Sequence, residues 1–81
     1  MTALVHVALK PTVLDPQGKT IQAALAKLGY GNIEDLRQGK LFALRLRPGL
    51  DRETARIEVE RIAREVLTNP VIEDFSIRWE E

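Results

Sequence analysis

The chain has 81 residues, 44% of them hydrophobic and 30% charged, with no cysteine and with twelve basic side chains against twelve acidic ones. At this length one small domain is the ceiling, and folding buries only about 60 to 65% of the unfolded surface. The composition excludes disorder, the charge balance excludes electrostatic capture of nucleic acid or an anionic membrane, and the absent cysteine excludes disulfides and thiolate metal cages. Packing, with help from self-association, must supply the stability.

The first element is a strand over Ala3 to Lys10. Ala3, Val5, Val7 and Leu9 fall on one face and Leu4, His6 and Ala8 on the other, the period of two that a strand imposes. Pro11 closes it. Asp15-Pro16 then combines an N-cap acceptor with proline at the first helical position, and Ile21, Ala24, Leu25 and Leu28 recur at helical spacing. The spacing predicts a first helix from Pro16 to about Leu28, with Gly29 as its left-handed C-terminal cap.

Asn32 to Arg47 has extended character: Ile33 and Leu36 precede a polar stretch, and Phe42, Leu44 and Leu46 alternate after it. Two strands joined at Gly39 fit this pattern, and so does one long strand bent by a glycine bulge. Pro48-Gly49 punctuates, and Asp51 caps a second helix whose stripe is Ala55, Val59, Ile62, Ala63, Val66 and Leu67. Its other face pairs Arg56 with Glu60, Glu60 with Arg64 and Arg61 with Glu65 at four-residue spacing, as a solvated face does. Asn69-Pro70 stops that helix, and Phe75, Ile77 and Trp79 alternate with Asp74, Ser76 and Arg78 in a last strand.

The order strand, helix, strand, strand, helix, strand is the split βαβ or ferredoxin-like arrangement, an α+β fold in one domain spanning 1–81. Right-handed crossovers set both helices on one face of an antiparallel sheet. The other face then carries Leu4, His6, Ala8, Leu41 and Ala43, too apolar to stay wet, so self-association through the sheet is expected. A buried leucine there contributes about 1.5 to 3 kcal/mol, against a total of order 5 to 10 for a small domain.

Catalytic constellations fail one by one. Gly18-Lys19-Thr20 copies the end of a phosphate-binding loop, but the glycine needed five residues earlier is Val13, and Pro16 has no amide proton to offer. Gly18 instead hints at close approach of another backbone inside a helix, where glycine costs about 1 kcal/mol relative to alanine. His6 is the only histidine, which excludes a His-Cys pair and a multi-histidine metal site. The adjacent carboxylates Glu73-Asp74 and Glu34-Asp35 read as solvated, because neighbours on a strand point to opposite faces. The first strand lacks the aromatic residues on which an RNA-binding domain of this topology stacks bases. Trp79 reads as a core or interface anchor.

Two strings carry a resemblance. Val7-Ala8-Leu9-Lys10-Pro11 with Val13-Leu14-Asp15-Pro16-Gln17-Gly18-Lys19, and Leu67 with Asn69-Pro70-Val71-Ile72-Glu73-Asp74-Phe75, resemble the PurS family, as does Leu28-Gly29-Tyr30. The resemblance spans essentially the whole chain; Arg47 to Arg56 matches no signature. It implies a small non-catalytic subunit of phosphoribosylformylglycinamidine synthase, the glutamine- and ATP-dependent amidoligase of de novo purine synthesis. It also implies partners: further copies of the chain, a PurL synthetase that holds ATP and magnesium, and a PurQ glutaminase. No cofactor is expected in this chain, nor any nucleic-acid or membrane partner. The alternative is a regulatory module of ferredoxin-like topology that binds a small ligand at a dimer interface. There is no run of about 18 apolar residues and no basic segment followed by an apolar one at the N-terminus, so a cytoplasmic location is expected.

Overall fold

The computed structural model describes residues 1–80. In chain order the elements are β1 (Thr2–Leu9), α1 (Pro16–Lys27), β2 (Gly39–Arg45), α2 (Arg52–Ile62) and β3 (Glu73–Glu80). A π-helical turn, Ala63–Leu67, continues α2. The three strands form one antiparallel sheet in the order β2-β1-β3. This is the expected α+β class and the split βαβ path, with β1 in the middle because the crossover through α2 carries the chain from one side of it to the other.

Alternation along β1 sorts its side chains as expected. Ala3, Val5 and Val7 are fully buried and meet Val59 of α2 and Ala63 of its π turn, which makes a core of small residues; Ala55 of α2 is fully buried as well. Phe42 and Leu44 from β2, Leu46 just past its end, and Phe75, Ile77 and Trp79 from β3 close over that core. The stripe of α2 departs from a regular helix at its end. Val66 is 73% exposed while Leu67 packs inward, because the wider π turn rotates the last residues relative to the α-helical stripe. Thr68 holds the turn by donating its hydroxyl to the carbonyl of Ala63 at 2.8 Å.

α1 begins and ends as expected. The Asp15 carboxylate accepts the Gly18 amide, Pro16 follows the cap, and Gly29 adopts a left-handed φ of 96°. Tyr30 donates its amide to Leu25 and Gly29 to Ala26, the paired bonds of a glycine-terminated helix.

The position of α1 is the main departure from a closed sandwich. Of its residues only Gly18 is buried, and Leu28 just past its end is 74% exposed. Residues 32–38 form no strand within the single chain, so the sheet has three strands rather than four. They run instead along α1. The Gln38 amide meets Asp15, a Cβ on Gly18 would lie 2.7 Å from the Leu36 carbonyl, and Gln22 donates to the Glu34 carbonyl at 3.0 Å. Seven helical steps, about 10 Å, are thus matched by four steps of the returning chain, which is close to extended backbone. α1 and this segment form an arm beyond the end of the sheet. The molecule measures 51 × 27 × 14 Å, with a radius of gyration of 16.2 Å, where a compact chain of this length has about 12 Å.

Candidate interaction surface

The sheet face opposite α2 gathers the five residues expected on it. Pairing sets Leu4 directly across from Ala43 and His6 across from Leu41, while Ala8 lies across from Gly39. Leu41 is 63% exposed, His6 and Ala43 are exposed, and Leu4 and Ala8 are half-buried. β3 extends this face with polar residues: Asp74 beside Ala8, Ser76 beside His6 and Arg78 beside Leu4. The result is an apolar strip along β1 and β2, bordered by a polar strand. A shallow depression of 350 Å³ lies between Leu4, His6, Leu41, Ser76 and Arg78. Gly39 is needed there for space rather than for a turn or a positive φ, because a Cβ would come within 2.8 Å of the His6 ring and 2.9 Å of the Val7 carbonyl.

A second constellation, which sequence reasoning read only as a helix boundary, ties the arm to the body. Asp15 is buried, and its two carboxylate oxygens accept the amides of Gly18 at 3.0 Å and Gln38 at 2.7 Å. Those bonds, that from Gln38 foremost and then that from Gly18, hold its carboxyl below the ordinary value of 3.8; the nearby Arg37 cation acts in the same direction. Arg37 donates to the carbonyls of Lys10 and Val13 at 3.0 and 2.9 Å, closing the loop that leads from β1 to α1. Only the isolated glycine at Gly18 signalled this latch in the sequence. Lys19 reaches Asp35 at 3.6 Å and Thr20 donates to the Pro16 carbonyl, so the phosphate-loop lookalike spends its polar groups within the arm.

Glu73 corrects one expectation. It is not a solvated carboxylate: its side chain is only 13% exposed, it accepts the Asn69 amide at 2.7 Å, and it stands 3.8 Å from the Lys40 ammonium. Asn69 in turn accepts the amides of Ile72 and Glu73 on its carbonyl and that of Val71 on its side chain. The Asn-Pro-x-x-Glu string therefore builds the tight entry into β3. Asp74 does sit on the open face, apart from Glu73. Of the ion pairs expected along α2, Arg56 with Glu60 and Arg61 with Glu65 form at 3.3 and 3.7 Å; Arg56 also binds Glu53 at 2.6 Å. Trp79 packs against the core. Among the described residues no group of three or more His, Cys, Asp or Glu converges, and no helix is long and apolar enough to cross a membrane.

The chain is a small α+β module whose built features are a latch, a turn and an apolar sheet face. Residues 2–81 match the family model PurS: Phosphoribosylformylglycinamidine (FGAM) synthase. The PurS subunit of phosphoribosylformylglycinamidine synthase from Mycobacterium leprae is 45% identical over 78 residues, covering 96% of this chain and 94% of the relative. That from Archaeoglobus fulgidus is 35% identical over the whole of both chains. Among solved structures, Methanocaldococcus jannaschii PurS superposes with a TM-score of 0.83 at 36% identity, covering 95% of this chain and 92% of that one. A chain in the PurLQS structure of Thermotoga maritima gives 0.86 at 30% identity, covering 95% and 93%. The chain belongs to the PurS family, the small subunits of phosphoribosylformylglycinamidine synthase.

Proposed function

We propose that the chain is the non-catalytic small subunit that bridges a glutaminase and a synthetase in the phosphoribosylformylglycinamidine synthase of de novo purine synthesis. In this role it keeps ammonia released from glutamine from equilibrating with water before it reaches the synthetase. The carrying observation is the full-length likeness to a chain of the Thermotoga maritima PurLQS structure. The apolar strip around Leu4, His6, Ala8, Leu41 and Ala43 supports it, since an assembly subunit needs a surface that water does not suit. ATP and magnesium act, in this reading, on the large synthetase subunit, because phosphoryl transfer requires a metal-phosphate site of its own. The work is done in the cytoplasm.

The test is reconstitution of the synthetase and the glutaminase with and without this chain. Glutamine-dependent turnover should require the chain, whereas turnover on added ammonium salt should depend on it much less. Equal glutamine-dependent rates in both mixtures would overturn the proposal.

A further inference from the structure

β3 ends the sheet on the side away from β2, and its backbone there meets no other strand. The Lys10 amide donates to the Ile72 carbonyl at 2.8 Å, and the antiparallel register runs on from that bond through Ala8 with Asp74, His6 with Ser76 and Leu4 with Arg78. Bonds across an antiparallel ladder fall on alternate residues of each strand. The even-numbered residues of β3 therefore serve β1, whereas Phe75, Ile77 and Trp79 turn their amides and carbonyls outward. Glu73 points outward too, but the Asn69 carbonyl takes its amide at 2.8 Å. Proteins ordinarily blunt such an edge with proline, lysine, a bulge or a very short strand. β3 is eight residues long, keeps an unbroken register with β1, and contains neither proline nor lysine.

Two further features lie along this edge. Phe75, Ile77 and Trp79 are only half-buried, so they keep apolar surface to cover. At the Phe75 end a groove of 520 Å³ opens between β3 and the end of α2, lined by Arg64, Thr68, Pro70, Glu73, Asp74 and Phe75. The Arg64 side chain is exposed there and, among the described residues, meets no carboxylate. Glu60, its expected partner, binds Arg56 at 3.3 Å, and Glu73 is engaged by Lys40 and the Asn69 amide.

We infer that the free edge of β3 receives an extended segment of a partner subunit, which adds to the sheet as a further strand and sets an acidic side chain against Arg64. Main-chain pairing selects the extended form, and alternate side chains give the specificity. Beside Ile77 and Trp79 the helix-side residues of the segment are apolar; the one that enters the groove is Asp or Glu. β3 of a second copy does not meet this description. Paired two-fold about Ile77, it sets Asp74 against Glu80 twice, an opposition of like charges. Paired about Ser76, it brings Ile77 and Trp79, not an acid, opposite Phe75 and Glu73. That the segment belongs to a partner subunit rests on the bridging role proposed above; the edge, the groove and the unpaired cation do not.

Hydrogen exchange resolved to single residues by mass spectrometry tests this, on the chain alone and on the reconstituted complex with the synthetase and the glutaminase. In the chain alone the Ser76 and Arg78 amides should exchange slowly and those of Phe75, Ile77 and Trp79 fast. In the complex the latter three should slow by at least about tenfold. Arg64→Glu, at an exposed position outside the core, should weaken assembly by at least about tenfold and leave the circular dichroism of the isolated chain unchanged. A complex in which the three amides exchange as fast as in the free chain would overturn strand addition, and undiminished assembly of Arg64→Glu would overturn the acidic contact. Protection of the three amides in the isolated chain, growing with its concentration, would make the occupant a second copy and overturn the partner segment. Failure of the three subunits to assemble at all would instead overturn the bridging role, and the source of the segment with it.

Discussion

At the residue scale, the glycines separate space from conformation. Gly18 sits in α1, where alanine is ordinarily better by about 1 kcal/mol. A Cβ there would lie 2.5 Å from an Asp15 carboxylate oxygen and 2.7 Å from the Leu36 carbonyl. Gly18→Ala should therefore lower the melting temperature, against the helical trend. Gly31 has open space around it and no positive φ, so Gly31→Ala should be neutral or raise stability by up to about 1 kcal/mol. Differential scanning calorimetry of the two variants compares the signs directly. Asp15 gives a pH signature at the same scale. Its folded-state pKa lies below the unfolded value, so the stabilisation it brings is complete above about pH 4 and is lost as pH falls through the folded value. Asp15→Asn presents one acceptor where two amides point, so it should lower the melting temperature near neutrality and flatten its decline on acidification below about pH 4. An unchanged acid slope in the variant would assign the decline to other carboxylates, such as Glu53, whose pKa is lowered by its hydrogen bond and ion pair with Arg56.

At the scale of elements, α2 carries the stability and its end carries the surprise. Val59 is fully buried against Val5 and Val7, so Val59→Ala removes two buried methyl groups and leaves a void, a loss of about 2 kcal/mol. Val66, seven residues on, lies on the same stripe by helical counting but is exposed because of the π turn. Val66→Ala should change stability by less than about 0.5 kcal/mol. Urea unfolding of both variants tests whether the π turn persists in solution, since a regular helix would bury Val66 and make the two losses alike. The caps were legible in advance: Asp15-Pro16, Gly29 and Asp51 each act where their chemistry places them, because a cap depends on neighbours within four residues. The π turn was not, since nothing in Ala63-Arg64-Glu65-Val66-Leu67 distinguishes it from α-helix without the contacts of Leu67 and Thr68.

At the scale of the molecule, shape and surface decide behaviour. The five residues assigned to the open face do share it, since a period of two and an antiparallel register leave no other arrangement. Leu41→Glu with Ala43→Glu places two charges on that strip while leaving the core residues Phe42 and Leu44 in place. It should weaken higher association in sedimentation velocity without changing the far-ultraviolet circular dichroism. Persistence of the wild-type association state would remove the face from consideration.

Apart from the strand expected within 32–38, the order of elements, their caps, the face each strand residue occupies and the family were legible in the chain alone, because all of these depend on local spacing or on strings of adjacent residues. It took the folded chain to show that 32–38 pairs with no strand of its own chain, that α1 leaves the sheet, that Asp15 serves two amides at once and that the Glu73 side chain is largely enclosed. Each of these depends on how segments far apart in the chain meet or fail to meet: Asp15 and Gln38, which do meet, are separated by 23 residues. The choice between hairpin and extension at Gly39 is likewise set by what lies beside it, the His6 ring and the Val7 carbonyl, and no local propensity records that neighbourhood.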